Sequence, residues 1–450
     1  MIIGLDLTWM TPINKCGGIF QYGMRLVDAL VCNTCNTIVA IGSEESDYLF
    51  QDLAKHDNFK FIAKTSSSFM TPIVEQERID VIHTPIQNHI NYTLAVPMIN
   101  TLHDLQHYYF PEFFTPEEIE FRNVHYKRSV EFSTRVVVSY QHVKDDLVKF
   151  FKIPPEKIDI CGHGMANIEK KVLPSQIDAL KRKYDLPAKY ILYSANTWRH
   201  KNHIGLLRAL KILHSKYGLN VPLICTGIQY PDFFPNIKEE ASRLGLSNNV
   251  RFLGYLPEEE MPAILSGATL SVIPTLYEAG SFPLMEAMNL GVPVICSMAT
   301  SLPDTIGDMR FVFDATLPND IADKIAMMLS NQQLREANIA NSAAKAKKWR
   351  WDQAVKPFEE SYKRAVESFD KIKKYRWYSD WALNYEFMAA RAESKLRREL
   401  AIYSDELART RHDLNYSVKK VEDVQRSLSW RITAPLRKAL YLLKRLINNW

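Results

Sequence analysis

Short apolar runs alternate with amphipathic stretches through the first 170 residues. Met1–Leu7, Thr37–Ile41, Val81–His83, Met98–Leu102 and Arg135–Ser139 predict strands. Between them, Ile19, Tyr22, Leu26 and Leu30 mark one helix face, and Val143, Leu147 and Phe150 mark another. The pattern restarts after Leu173-Pro174-Ser175. Tyr190–Ser194, Pro222–Thr226, Val250–Leu253, Leu270–Pro274 and Val292–Ile295 form a second strand series with helices between. Strands that alternate with helices predict parallel crossovers, hence an α/β chain with two doubly wound sheets. Two such units face each other across a cleft, where the carboxyl ends of their strands can bind ligands. Residues 350–366 predict one further helix after both series.

The character changes near Asp370. Leu396, Leu400, Tyr403, Leu407, Leu414, Val421, Val424 and Leu428 fit a heptad, with Thr410 and Ser417 as weak core positions. This predicts a coiled coil of about five heptads; one long helix lying against the body satisfies the same spacing. Thr433-Ala434-Pro435-Leu436 opens a last helix whose apolar stripe is Leu436, Leu440, Leu443, Ile447 and Trp450. Arg437, Lys438, Lys444 and Arg445 lie on its other side. Such a helix suits a lipid interface but is too short to span one, and it also suits docking on a protein.

Length and charge sharpen this division. At 450 residues and 46% hydrophobic, the chain holds enough apolar material for two cores. No run reaches the roughly 18 apolar residues of a membrane span. Residues 371–450 carry 18 Lys/Arg against 9 Asp/Glu, leaving 38 against 42 in the remainder. A mildly acidic body with a basic tail argues against nucleic acid and for a surface contact by the tail. The expected place is therefore the cytoplasm, peripheral on the inner face of the membrane. The N-terminus has no basic region and reads at once as a strand, so no secretory leader is expected. Six scattered cysteines, with Cys32 and Cys35 the one close pair, read as free thiols of a reducing compartment.

The densest chemistry lies in Tyr277-Glu278-Ala279-Gly280-Ser281-Phe282-Pro283-Leu284-Met285-Glu286. A strand runs into a loop holding Glu278, and Pro283 suits a first helical position. Glu286 follows about one turn later, and Gly291 can end the helix. Two acids astride a helix N-terminus suit a ligand that is both polyhydroxylated and anionic. Carboxylates accept hydrogen bonds from sugar hydroxyls, and the N–H groups of the helix start attract phosphate. A nucleotide sugar is such a ligand.

Other segments can converge on it. Lys15-Cys16-Gly17-Gly18 follows the first strand and opens the first helix, where glycines admit close backbone approach. Tyr193-Ser194-Ala195-Asn196-Thr197-Trp198-Arg199-His200-Lys201-Asn202 follows the first strand of the second series. Asn202 suits an N-cap there, which leaves Lys201 beside a helix start as a point charge for a diphosphate. His103-Asp104 and His107 follow a strand of the first series. Their i, i+4 spacing could serve a metal, but no third ligand is evident, and a histidine bonding a substrate hydroxyl is preferred.

Together these segments resemble the retaining family 4 glycosyltransferases, which have the two-domain GT-B fold, over roughly residues 2–366. His103-Asp104, Gly17-Gly18, Lys201-Asn202, Gly254-Tyr255-Leu256-Pro257 and Ser301-Leu302-Pro303-Asp304 occur in that family's order. The resemblance implies that Glu286 holds the nucleotide ribose and that Glu278 lies near the transferred sugar. It further implies that Lys201 contacts the diphosphate, that His103 touches a sugar hydroxyl, and that Gly17 and Gly18 approach the donor. Asn196, Arg199, Gly280, Ser281 and Phe282 complete the implied donor site. Two positions depart from the family: Asn196 replaces an arginine, so Arg199 is the expected substitute, and Ala279-Gly280-Ser281 replaces Gly-Phe-Gly. Both departures resemble a mannosyltransferase branch of bacterial surface-polysaccharide synthesis. The segment Ser427 to Arg437 looks like one found at the ends of such enzymes.

The expectations are therefore an acceptor-side domain at 1–170, a donor-side domain at 171–349, a closing helix at 350–369 and the tail at 370–450. The expected reaction is transfer of a sugar, with a lean to GDP-mannose as donor, to a saccharide or lipid-linked acceptor with retention and without a metal cofactor. A homo-oligomer through the coiled coil fits the heptads. A sugar-nucleotide epimerase and a silent membrane-recruited scaffold are the rival readings.

Overall fold

A computed structural model describes residues 1–11, 17–64, 70–88, 94–165, 172–347 and 349–369, with scattered helical positions between 394 and 420. Seven parallel strands form the first sheet: β1 (Ile2–Asp6), β2 (Thr37–Gly42), β3 (Phe59–Ala63), β4 (Val81–Thr84), β5 (Met98–Thr101), β6 (Arg135–Val138) and β7 (Ile158–Ile160). Their order is β3-β2-β1-β4-β5-β6-β7. The second sheet holds β8 (Ile191–Ser194), β9 (Leu223–Thr226), β10 (Val250–Phe252), β11 (Leu270–Ile273), β12 (Val294–Ser297) and β13 (Val312–Phe313), in the order β10-β9-β8-β11-β12-β13. Both sheets are of the doubly wound, Rossmann-like kind. Near-continuous burial along β1, β4, β5, β8, β9 and β11 reflects helices on both faces of a parallel sheet.

The order reverses between β1 and β4 in the first sheet and between β8 and β11 in the second. Connections leave in opposite directions there, which opens a crevice beyond the strand ends. The loops after β1, β8 and β11 are the ones that carry the glycine pair, Lys201 and Glu278.

Three helices matter for that crevice. α1 (Gly18–Asn33) packs Tyr22, Leu26 and Leu30 into the first core, as its apolar spacing predicts. α2 (His203–Tyr217) follows β8, and α3 (Phe282–Asn289) follows β11. After the second sheet the chain returns to the first through α4 (Trp351–Phe369). Val355, Phe358, Tyr362 and Ala365 of α4 lie in one core with Ile3, Leu5 and Leu26. Tyr362 Oη sits 2.9 Å from His83 Nδ1, and His83 Nε2 sits 2.7 Å from Thr101 Oγ1. Where the chain passes between the two halves, the Met165 N–H donates to the Trp349 carbonyl at 2.6 Å.

Phe358 is fully buried in that core. Phe358→Ala is expected to cost about 3–5 kcal/mol, the usual range for removing a buried ring. Chemical denaturation checks it; a loss below 1 kcal/mol would mean that α4 is not integral to the first half.

Several expectations shift in detail. α3 starts at Phe282, capped by Ser281, whose Oγ accepts from Leu284 N–H at 3.4 Å, so Pro283 is the second helical residue rather than the first. Strands β3, β7 and β13 were not expected. Leu400, Leu407 and Leu414 are helical and exposed, while the other heptad positions Leu396, Tyr403, Val421, Val424 and Leu428 lie outside the described residues. So does the basic stripe of 433–450. Among the described residues no helix is long and apolar enough to cross a membrane.

Candidate active site

Gly17 stands at φ 142°, a backbone state that favours glycine, and caps α1 without a side chain. Among the described residues no side chain caps the first N–H groups of α1, which lie at the Gly17-Gly18 end of the helix. Opposite, β8 ends at Ser194 and the chain turns through Asn196 to Lys201. Asn196 Oδ1 accepts from Ile228 N–H at 2.8 Å, which ties that loop to the one after β9. Asn202, at φ 57°, caps α2 by accepting from Gly205 N–H at 3.2 Å, as its position predicts. Its amide also donates to the Pro274 and Ala315 carbonyls, so the residue after Lys201 is fixed from three sides. Tyr193 Oη donates to the Lys201 carbonyl at 2.7 Å.

β11 neighbours β8, so the loops after them meet. Lys201 Nζ lies 2.6 Å from Glu278 Oε2, both side chains largely buried. The Glu278 backbone is gripped from the next strand's loop: its carbonyl accepts from Thr300 and Ser301 hydroxyls, and its N–H donates to Thr300 Oγ1. Gly280 sits where a Cβ would fall 2.7 Å from the Tyr140 ring and 2.9 Å from His163 Nε2. That crowding accounts for a glycine at this point of the loop.

Gly17, Gly18, Asn196, Lys201, Glu278, Gly280, Phe282 and Glu286 all line one cavity of about 380 Å³. Gln21, Arg25, Thr226, Gly227, Tyr255 and Glu258 line it too. A volume of this size is at the lower end for a small-molecule site. Arg25, on α1, was not anticipated. Its Nη2 donates to Glu286 Oε1 at 3.0 Å, and its guanidinium lies 4.5 Å from the centre of the Phe282 ring. The spacing of Gly18, Gln21 and Arg25 is the signal that could have found it, because i, i+3 and i+7 share one helix face. Burial raises the Glu286 pKa, Arg25 opposes that shift, and Glu258 adds to it.

Three anticipated residues stand elsewhere. Arg199 does not line the cavity; its guanidinium rests 5.4 Å from the centre of the Phe233 ring. Ser281 is buried as the cap of α3. His103 is buried behind Tyr22, ring edge to ring face at 4.8 Å, with Nε2 3.3 Å from the Pro85 carbonyl. Burial lowers its pKa, so the imidazole is neutral at pH 7. His107 Nε2 pairs with Asn123 Oδ1 at 3.1 Å, and burial brings its pKa down to about 4. Among the described residues no three His, Cys, Asp or Glu side chains converge as a metal site. Cys32 and Cys35 are free thiols.

Residues 176–345 match the family model for glycosyl transferases group 1. The O-antigen chain mannosyltransferase B of Escherichia coli is 27% identical over 268 residues, covering 59% of this chain and 70% of that protein. The serotype-specific mannosyltransferase WbdA of Escherichia coli is 25% identical over 255 residues, but the match covers only 31% of WbdA. HepE of Anabaena, solved with UDP and glucose, superposes with a TM-score of 0.65 at 17% identity, covering 81% of this chain and 99% of that one. The last likeness concerns the fold alone. Residues 176–345 therefore match the glycosyl transferases group 1 family, and the chain has the two-domain GT-B fold.

Proposed function

We propose that this protein transfers mannose from GDP-mannose to a saccharide or lipid-linked saccharide, with retention, during cell-surface polysaccharide synthesis on the cytoplasmic side of the membrane. The observation that carries the reading is the single cavity that gathers Gly17 and Gly18 from one half with Lys201, Glu278 and Glu286 from the other. Glu286 would take the ribose hydroxyls, Lys201 the diphosphate and Glu278 the transferred sugar. Escherichia coli relatives named as mannosyltransferases favour mannose.

In this reaction the bond between the anomeric carbon and the phosphate oxygen breaks as the acceptor oxygen bonds the same face. The acceptor proton passes to the departing phosphate oxygen. Charge building on that oxygen is stabilised by Lys201 and by the N–H groups at the starts of α1 and α3, in place before reaction. No metal is assigned a part.

A panel of UDP-, GDP- and dTDP-sugars tests the donor, and NMR of the product tests the anomeric configuration. GDP-mannose should turn over at least tenfold faster than the others, by the differential contacts to base and sugar. Inversion at the anomeric carbon, or conversion of donor alone to an epimer, would replace this reading.

The tail supports membrane recruitment, given its 18 cationic against 9 anionic residues. Deleting residues 371–450 is expected to release the protein from anionic vesicles while donor binding stays intact. Equal sedimentation with and without the tail would refute the assignment. The exposed helical Leu400, Leu407 and Leu414, seven residues apart, favour a homo-oligomer, which light scattering measures.

A further inference from the structure

A nucleoside-diphosphate sugar brings two negative charges to its site, and its leaving group gains a third as the bond breaks. Among the described lining residues of the cavity, the cations are Arg25 and Lys201, against Glu258, Glu278 and Glu286. Asn196 is neutral and already holds the loop after β9, and Arg199 is turned away onto Phe233. Of the described lining cations other than Arg25, Lys201 is the one that remains, and a single ammonium offsets half of the diphosphate charge.

Arg25 is built into the cavity wall. Its side chain is 16% exposed and rests against the Phe282 ring and Glu286 of α3. Side chains on a helix lean toward its N-terminus, so Arg25 leans back along α1 toward the Gly17-Gly18 loop, two turns away. A guanidinium carries five N–H donors. Among the described residues, the guanidinium of Arg25 donates to one carboxylate oxygen at 3.0 Å and to the weakly accepting Met165 Sδ at 3.9 Å. Donors remain for a second acceptor, and the planar fork matches phosphate in a way an ammonium does not.

We propose that Arg25 is a second diphosphate-binding cation, paired with Glu286 until the donor ribose takes that carboxylate and then released to the diphosphate. The inference rests on the nucleotide-sugar reading above. Two adjacent ribose hydroxyls donate to both Glu286 oxygens, including the one that now accepts from Arg25. The freed guanidinium swings to the diphosphate, an acceptor of higher charge, and the ion pair between the halves becomes a clamp on the ligand. Arg25 comes from the first half and Lys201 from the second, so the diphosphate is gripped from both sides.

The test compares wild type, Arg25→Gln and Arg25→Lys in binding the nucleoside diphosphate that wild type prefers from a UDP, GDP and dTDP panel. The matching uncharged nucleoside is measured in parallel by competition. Losing a charge-assisted pair should weaken the diphosphate at least tenfold in Arg25→Gln. The nucleoside should bind as well or better, since it no longer competes for Glu286, which also reports a folded site. Arg25→Lys should fall between the two. Unchanged diphosphate affinity in Arg25→Gln, or equal losses for nucleoside and diphosphate, would overturn the inference while the donor site stands. A wild type that binds no nucleotide would instead overturn the nucleotide-sugar reading, and this inference with it.

Discussion

Lys201→Ala is expected to lower turnover by about 10²-fold or more, the cost of losing a positioned electrostatic donor in a water-poor site. The fold should survive, because the structural bonds at this position use backbone atoms: Tyr193 donates to the Lys201 carbonyl, and Asn202 holds the next residue. The complication is Glu278, which loses its 2.6 Å partner and stays largely buried. Breaking one side of a buried pair is costly in itself. The double variant Lys201→Ala, Glu278→Gln therefore belongs in the same experiment. If Lys201 stabilises the leaving diphosphate, removing the stranded charge restores stability but not turnover. A donor with a better leaving group should also lose less than the natural one. Near-native kcat in folded Lys201→Ala would end the assignment.

Glu286→Ala is expected to cut kcat/KM by about 10²-fold or more. Two ribose hydroxyls bonded to one carboxylate are together worth several kcal/mol, at about 1.5–3 kcal/mol each for bonds to a charged group, and 1.4 kcal/mol is a factor of ten. The carboxylate also anchors Arg25 across the crevice, so the two effects must be separated. Glu286→Gln keeps the shape and can still bond the ribose, but it cannot hold Arg25 as a counter-ion. Uncoupled losses in a double-mutant cycle of Arg25→Gln with Glu286→Ala would mean that the pair does not act together. Steady-state kinetics over a donor concentration series gives all four corners.

Much of this arrangement was legible in the residues. Strands buried on both faces are near-continuous apolar runs, so Ile2–Asp6, Ile191–Ser194 and Leu270–Ile273 announce themselves. The elements that escaped are of two kinds. Phe59–Ala63 is an edge strand whose partial exposure dilutes its pattern, while Ile158–Ile160 and Val312–Phe313 are too short for any period to register. For the site, Glu278, Glu286, Lys201 and the glycine pair could be placed together because each follows a strand end.

Arg25 could not be read the same way. It sits on the polar side of an amphipathic helix, where a charged residue ordinarily means solvent, and its partner is 261 residues away. Arg199 misled for the opposite reason. Its nearness to Lys201 in sequence suggested a shared task, but a short 3₁₀ turn at Arg199–Lys201 rotates it onto Phe233. His103 was expected to touch sugar, whereas its direct neighbours are Tyr22 and the Pro85 carbonyl.

The two passages of chain between the halves are joined by the bond from Met165 to Trp349. Met165 also meets the Arg25 guanidinium through its Sδ, at 3.9 Å, so the residue that ties one passage to the other touches the cation of the crevice wall, and a substitution at Met165 is felt at both.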